Sequence, residues 1–185
     1  LIPASLNLSV VDLQMSLRGR PAGKNGTLYR FYLRDLLKVV EEHTDFEYAF
    51  IDTPPALGAL SLNSIAAATS GCIISTSLDV MAYRGISAVI EAIETIQKMD
   101  PSHHGVLGIL RSEYSERRKI DKELGDYVEA FYPHYVFKTE IPEASAAVKR
   151  ANASLRLVSQ LDKRMEKVYL DVFDEMEKEL AKYGE

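Results

Sequence analysis

A single cysteine, Cys72, in 185 residues leaves the chain without a disulfide framework. Cys72 lies in the apolar run from Gly71 to Thr76, so the sequence predicts a buried, unreactive thiol. Long hydrophobic runs are missing as well. No stretch approaches the length of a bilayer span, and no charged-then-apolar leader opens the chain, so neither a membrane span nor a secretory signal is expected and the expected location is the cytoplasm. Without secretion, the Asn-x-Ser/Thr triplets at Asn7, Asn25 and Asn152 carry no meaning as glycan acceptors. Positive charge is also scarce: 22 lysines and arginines stand against 27 acids, for a formal net charge of −5. That balance argues against a chain that coats nucleic acid through bulk charge and confines any DNA contact to a local patch. Internal repeats, low-complexity tracts and linkers are absent, which predicts one domain over residues 1–185. At 46% hydrophobic and 26% charged, such a domain is large enough to bury a core.

What is present is an alternation of helical and strand-like segments. Leu1 to Ala4 reads as the end of a strand. Leu6, Val10, Leu13 and Leu17 recur at helical spacing before a break at Gly19, Pro21, Gly23 and Gly26. A helix is predicted from Thr27 to His43, with Leu28, Phe31, Tyr32, Leu36, Val39 and Val40 on a buried face. A strand is predicted next, at Tyr48 to Asp52. Helices are then expected at Leu62–Thr69, Ala82–Met99 and Glu116–Phe131, with strands at Cys72–Ser75, Val106–Leu110 and Tyr135–Phe137. This order implies an α/β fold, a doubly wound and mainly parallel sheet flanked by helices. A long amphipathic helix over about 159–183 carries Leu161, Met165, Val168, Val172, Met176 and Leu180 on one face. Its length suits packing on its own domain better than a coiled coil, and its acidic balance is unlike helices that settle on anionic membranes.

The most informative stretch is Tyr48 to Asn63. An apolar run ends on Asp52, Pro54 and Pro55 stiffen the turn after it, and Gly58 leads into a helix. A parallel strand delivers its last residue to the carboxyl edge of the sheet, where open α/β folds bind ligands. A carboxylate there can hold magnesium water beside a phosphate, as a Walker B aspartate does. The same Asp-Thr-Pro-Pro also suits a plain surface turn, and the residues by themselves leave both readings open.

The flanking blocks carry a resemblance. Tyr48 to Asn63, reading Tyr-Ala-Phe-Ile-Asp-Thr-Pro-Pro-Ala-Leu-Gly-Ala-Leu-Ser-Leu-Asn, resembles the Walker B block of the ParA family of partition ATPases, within the deviant Walker superfamily that also contains MinD. Leu1 to Leu8 is similar to the family's segment before that strand. Cys72 to Ser75 with Asp79, Ala82 and Gly85 resembles its next strand and helix start. Gly108, Ile109, Leu110, Ser112, Tyr114 and Arg117 resemble its Gly-hydrophobic-Leu-x-Thr-x-Tyr-x-x-Arg block, with Ser112 in place of threonine. Thr139, Ile141 and Pro142 resemble its Thr-x-Ile-Pro turn.

This resemblance implies a P-loop NTPase-like fold that uses ATP and Mg2+ to drive plasmid or chromosome partition. Asp52 would then be the catalytic carboxylate that holds magnesium through water. Pro54 would lie beside the γ-phosphate, with Ser112 and Pro142 near the nucleotide base. The implied partners are a second copy of the chain across ATP, non-specific DNA and a ParB-like centromere-binding protein, with nucleoid association in the cytoplasm and no membrane. Arg117 coincides with a basic DNA-binding residue of the family, and Arg118, Lys119 and Lys122 extend that patch. Glu113, Glu116, Asp121 and Glu123 are interleaved with these cations, so an ordinary solvated helix face fits equally well. Glu143 and Ala146 stand where relatives often carry arginines; Lys149 and Arg150, with Arg156, Lys163 and Arg164, could supply a replacement surface.

The resemblance also implies a glycine-rich P-loop with a lysine, and these residues contain none. Gly19 to Asn25 comes near that consensus but is one residue short between its glycines, has Asn25 where a hydroxyl is needed, and sits after a helical segment; it reads as a surface loop. With Leu1 rather than methionine at the start, the expectation is the C-terminal two-thirds of a ParA-like protein, inactive as an ATPase by itself. The alternatives are a non-catalytic relative that binds DNA or protein, and, behind it, a MinD-like positioning ATPase. One cysteine cannot hold the shared cluster of a nitrogenase iron protein relative. His103 and His104 read as a surface loop rather than a zinc site.

Overall fold

A computed structural model describes residues 31–54, 56–77, 80–115 and 117–183. The segments predicted at Leu1–Ala4, Leu6–Leu17 and Gly19–Asn25 lie outside them. Along the chain the elements are α1 (Tyr32–Glu42), α2 (Ala59–Ala67), β1 (Cys72–Ser77), α3 (Val80–Met99), β2 (Val106–Ser112), α4 (Lys119–Phe131), α5 (Ser145–Ser154), α6 (Val158–Leu161) and α7 (Lys163–Ala181). The chain divides into two compact units, one drawing on residues up to 69 and 95–103, the other on residues 70–94 and from 104 onward.

In the first unit α1 packs against α2. The half-buried positions of α1 are Leu33, Arg34, Leu37 and Val40, whereas Tyr32, Leu36 and Val39 are exposed. Of the predicted buried face, Phe31 is buried and Val40 half-buried as expected, whereas Tyr32, Leu36 and Val39 are exposed and Leu33 and Leu37 turn inward instead; Leu28 lies outside the described residues. Arg34 lies 4.3 Å from the Phe31 ring centre and pairs with Asp100. The Ser102 hydroxyl, 2.6 Å away, is the largest influence holding the Asp100 carboxyl below its usual value, with Arg34 adding to it. The stability linked to that lowered pKa is complete above the ordinary carboxylate range and is lost as pH falls through the folded value.

The predicted strand at Tyr48–Asp52 is not a strand in the structure. A strand exists through its ladder, and among the described residues no ladder joins this segment to β1 or β2. Its helix begins earlier than expected, at Ala59, because Gly58 is extended and serves as N-cap. Small side chains let α2 bury: Ala59, Ser61, Ser64, Ala66 and Ala67 are all buried. The hydroxyls turn back on the main chain, with Ser64 Oγ donating to Leu60 O at 3.0 Å. His103 is buried, contrary to the surface loop predicted for it, because its Nε2 donates to Ile65 O at 2.8 Å.

In the second unit β1 and β2 pair in parallel, from Cys72 opposite Val106 to Ser77 opposite Ser112, with an irregularity after Cys72. β2 is buried from Val106 through Arg111, as a parallel strand covered on both faces should be. Residues 135–143 extend this sheet on the other side of β2 through bridges from Ile109 to Val136 and from Tyr114 to Pro142. The strand predicted at Tyr135–Phe137 shrinks to that first bridge. The next two amides, of Lys138 and Thr139, donate instead to the two carboxylate oxygens of Glu175 on α7, each at 2.9 Å. Leu107, Leu110, Phe137 and Met176 form the core, flanked by Ile73, Ile141, Val172, Phe173 and Leu180. The architecture is α/β, a parallel sheet flanked by helices, as the alternation of segments implied. α4 starts at Lys119, later than predicted, because Arg118 is extended. α7 is capped by Asp162, which accepts from Arg164 N and Met165 N.

Cys72 is half-buried, not fully buried as predicted, and this partial burial pushes its thiol up to about 12. An unfolded thiol ionises lower, so stability linked to this group is complete below that ordinary value and declines as pH rises toward the folded one. Native protein at pH 8 is therefore expected to resist iodoacetamide at Cys72, monitored by mass spectrometry, while urea-unfolded protein is labelled at the rate of a free thiol. Equal rates in both states would refute the buried neutral thiol.

Candidate functional site

Asp52 and Pro54 lie exposed in the coil before α2. Asp52 has no hydrogen bond or ion pair among the described residues. The turn after it is tied down by its own helix. Ser61 Oγ, one turn into α2, donates to Ala56 O at 2.5 Å and weakly to Pro54 O at 3.5 Å, and Gly58 N donates to Ala56 O at 3.0 Å. The carbonyls of Pro54 and Ala56 are thus tied to the start of α2. In α2, Asn63 donates to Ala59 O at 2.9 Å, while its buried Oδ1 has no partner among the described residues. No cluster of three or more acidic, histidine or cysteine side chains stands ready for a metal among the described residues. One free carboxylate suits magnesium, which keeps several of its waters and takes its other ligands from substrate phosphates. Pro55 and Asp79 fall outside the described residues.

In the second unit the main chain brings Ser112 and Pro142 into one stretch of sheet. Ile141 N donates to Arg111 O at 2.9 Å, Tyr114 N to Ile141 O at 3.1 Å and Glu143 N to Tyr114 O at 2.9 Å. Ser112 ends β2, and Glu113 turns away with φ 56°, in the left-handed region. Both Ser112 and Pro142 are half-buried. Sequence reasoning missed the arginine beneath them. Arg111 is buried, 3.1 Å from Glu140 and 3.8 Å from Glu129, and donates to Phe137 O at 3.4 Å. An arginine inside an otherwise apolar strand was the signal available.

The basic residues divide by their partners. Arg118 is engaged on every side: its Nε meets Asp121 at 3.1 Å, and its Nη2 meets Glu143 at 3.2 Å and Glu113 O at 2.7 Å. Asp121 is itself buried and accepts from Ser115 N at 2.9 Å, so this arrangement is structural. Lys119 pairs with Glu123 at 3.2 Å, and Arg150 lies 4.0 Å from Asp162. Arg117, Lys122 and Lys149 are exposed and form no ion pair among the described residues. Of the six predicted DNA contacts, three face carboxylates in this structure and three do not.

The profile of the AAA_31 family, an AAA domain, matches residues 1–104. The chain is 25% identical over 141 residues to the chromosome partitioning protein ParA of Caulobacter vibrioides, covering 76% of this chain and 49% of that protein. It thus spans about half the length of the curated relatives it matches. Apo McdA from Cyanothece superposes with a TM-score of 0.76 at 21% identity, over 95% of this chain and 67% of McdA. Cobyrinic acid a,c-diamide synthase from Mycobacterium smegmatis, solved with an ATP analogue and magnesium, superposes with a TM-score of 0.61 at 26% identity, over 77% of this chain and 53% of the synthase. No helix among the described residues is long and apolar enough to cross a membrane.

Proposed function

This chain belongs to the AAA_31 family of ParA-like ATPase domains, and from that premise we propose that it forms the magnesium- and base-facing part of an ATPase that partitions plasmid or chromosomal DNA. The observation that carries the reading is Asp52: an exposed carboxylate with no ion pair among the described residues, just before main chain tied to α2, within the segment the family profile matches. Magnesium, when bound, neutralises charge on the γ-phosphoryl group, and Asp52 is the residue here that would hold it through water. Pro54 shapes the turn beside the phosphate. The Ser112 hydroxyl and the Pro142 ring, held together by the sheet, offer a polar and an apolar contact to the base. ATP would join two copies of the chain, the pair would bind DNA without sequence preference, and a ParB-like protein would stimulate hydrolysis and release.

Arg117, Lys122 and Lys149 are the cations left to neutralise DNA phosphates, since Arg118, Lys119 and Arg150 already face carboxylates. Protein translated from the complete reading frame, with ATP and magnesium, is expected to bind random-sequence duplex. Arg117→Ala and Lys122→Ala are each expected to lower the slope of log affinity against log salt by about one unit. An unchanged slope in both would remove the DNA assignment of α4. Binding indifferent to ATP would remove the nucleotide-gated cycle and leave a plain binding module.

A further inference from the structure

β2 keeps one costly residue. Val106 to Leu110 carry no polar side chain, yet the strand continues into Arg111, which is only 9% exposed. Its guanidinium lies 3.1 Å from Glu140 and 3.8 Å from Glu129 and donates to Phe137 O at 3.4 Å, while its Nε is buried without a partner among the described residues. Apolar groups of similar volume in place of a buried ion pair are often neutral or stabilising, so stability alone does not account for an arginine here.

What these contacts hold is a break in the sheet. Phe137 N donates to Ile109 O at 3.0 Å and Ile141 N to Arg111 O at 2.9 Å, but between them Lys138 and Thr139 give their amides to Glu175 rather than to β2. The excursion comes directly before Pro142, and Arg111 fastens both of its ends. The guanidinium takes Phe137 O and Glu140, and the Arg111 carbonyl takes the Ile141 amide. Glu175 holds the middle from α7. Departures of this kind re-aim the residues that follow them and are over-represented beside active sites.

We propose that Arg111 is a positioning residue of the base site: it fixes residues 137–141 so that Pro142 is presented at the end of β2 with Ser112, and it thereby sets the preference for adenine over guanine. The role rests on the base contacts assigned to Ser112 and Pro142 under the proposed function. Glu140 is the working counterion, because Glu129 is 64% exposed and such pairs contribute little. Lysine is a poor substitute, since a point charge cannot span Phe137 O and Glu140 as a planar fork does.

Displacement of a ribose-labelled fluorescent ATP by ATP or by GTP, from the protein of the complete reading frame with magnesium, tests this beside thermal melting. The Arg111→Met, Glu140→Gln double variant removes the pair without leaving Glu140 charged and unpaired. It is expected to keep its melting temperature and lose about tenfold of the ATP-over-GTP preference, the lower end of the range for groups that orient a ligand from behind. Glu140→Gln alone, which retains the arginine, should shift the preference the same way by less and decides the matter if the double variant does not fold. Arg111→Lys should recover only part of the preference. Ser112→Ala and Pro142→Ala probe the base contacts themselves. A preference reduced by those two but intact without Arg111 and Glu140 would overturn the role of Arg111 and leave the base site standing. A preference unchanged by Ser112→Ala and Pro142→Ala would overturn the base site and the role of Arg111 with it. Equal weakening of ATP and GTP, or a loss that follows the melting temperature, would show Arg111 to be structural and overturn the proposal.

Discussion

Asp52→Ala, made in the protein from its complete reading frame, is expected to lower magnesium-dependent ATP turnover about 10- to 100-fold, the range for removing a group that acts on a metal through its water. The fold should be indifferent. Asp52 is exposed and makes no hydrogen bond or ion pair among the described residues, so its truncation should change stability by less than about 0.5 kcal/mol. The turn beneath it is held by Ser61 and Gly58, not by the carboxylate. Asp52→Asn keeps the shape and removes the charge, and should behave like the alanine variant. Phosphate release measured beside thermal melting separates the two quantities. Turnover undiminished in both variants would remove Asp52 from the chemistry.

Gly108→Ala is expected to be the most damaging small substitution in the second unit. Gly108 sits within β2 opposite Ile73, and a methyl group built there overlaps the Phe137 ring at Cε1, Cδ1 and Cζ. Phe137 is buried in the core with Leu107, Leu110 and Met176, so its ring has nowhere to retreat. Forcing extra volume into a filled core costs about 1–3 kcal/mol. At the upper end that lowers the melting temperature by about 6–12 °C for a chain of this size. Phe137→Leu placed on the Gly108→Ala background should recover part of the loss, because it removes the ring edge that the methyl strikes. A melting curve for Gly108→Ala that matches the parent would show that the glycine is not required by packing.

How much of the fold and the site was legible in the sequence depended on what each residue needed from its surroundings. β2 was readable because a strand buried on both faces is nearly a run of apolar residues, and β1 because its Cys-Ile-Ile start is one too, although only Ile74 and Thr76 are buried in it. The face of α1 was legible only in part: Phe31 and Val40 turn inward as read, but Leu33 and Leu37 compete with Tyr32, Leu36 and Val39 at helical spacing, and only packing distinguishes them. α5 passed unnoticed because its buried positions are Ala147 and Ala151, alanines too small to register as a periodic stripe. Asp52 stood out because a carboxylate closing an apolar run is unusual. The commitment of Arg118 did not, because its partners Asp121 and Glu143 lie 3 and 25 residues away and composition cannot pair them. His103 was misplaced for the same reason, its acceptor Ile65 being 38 residues distant.

The grip of Glu175 on the amides of Lys138 and Thr139 does more than shorten a strand. Phe137 N is paired with Ile109 O, but without Glu175 the amides of Lys138 and Thr139 would be left as unpaired donors, a foothold for another molecule's main chain. A side chain from α7 fills those positions instead. The same carboxylate that fastens the helix to the loop before Pro142 also blunts this border of the sheet against self-association.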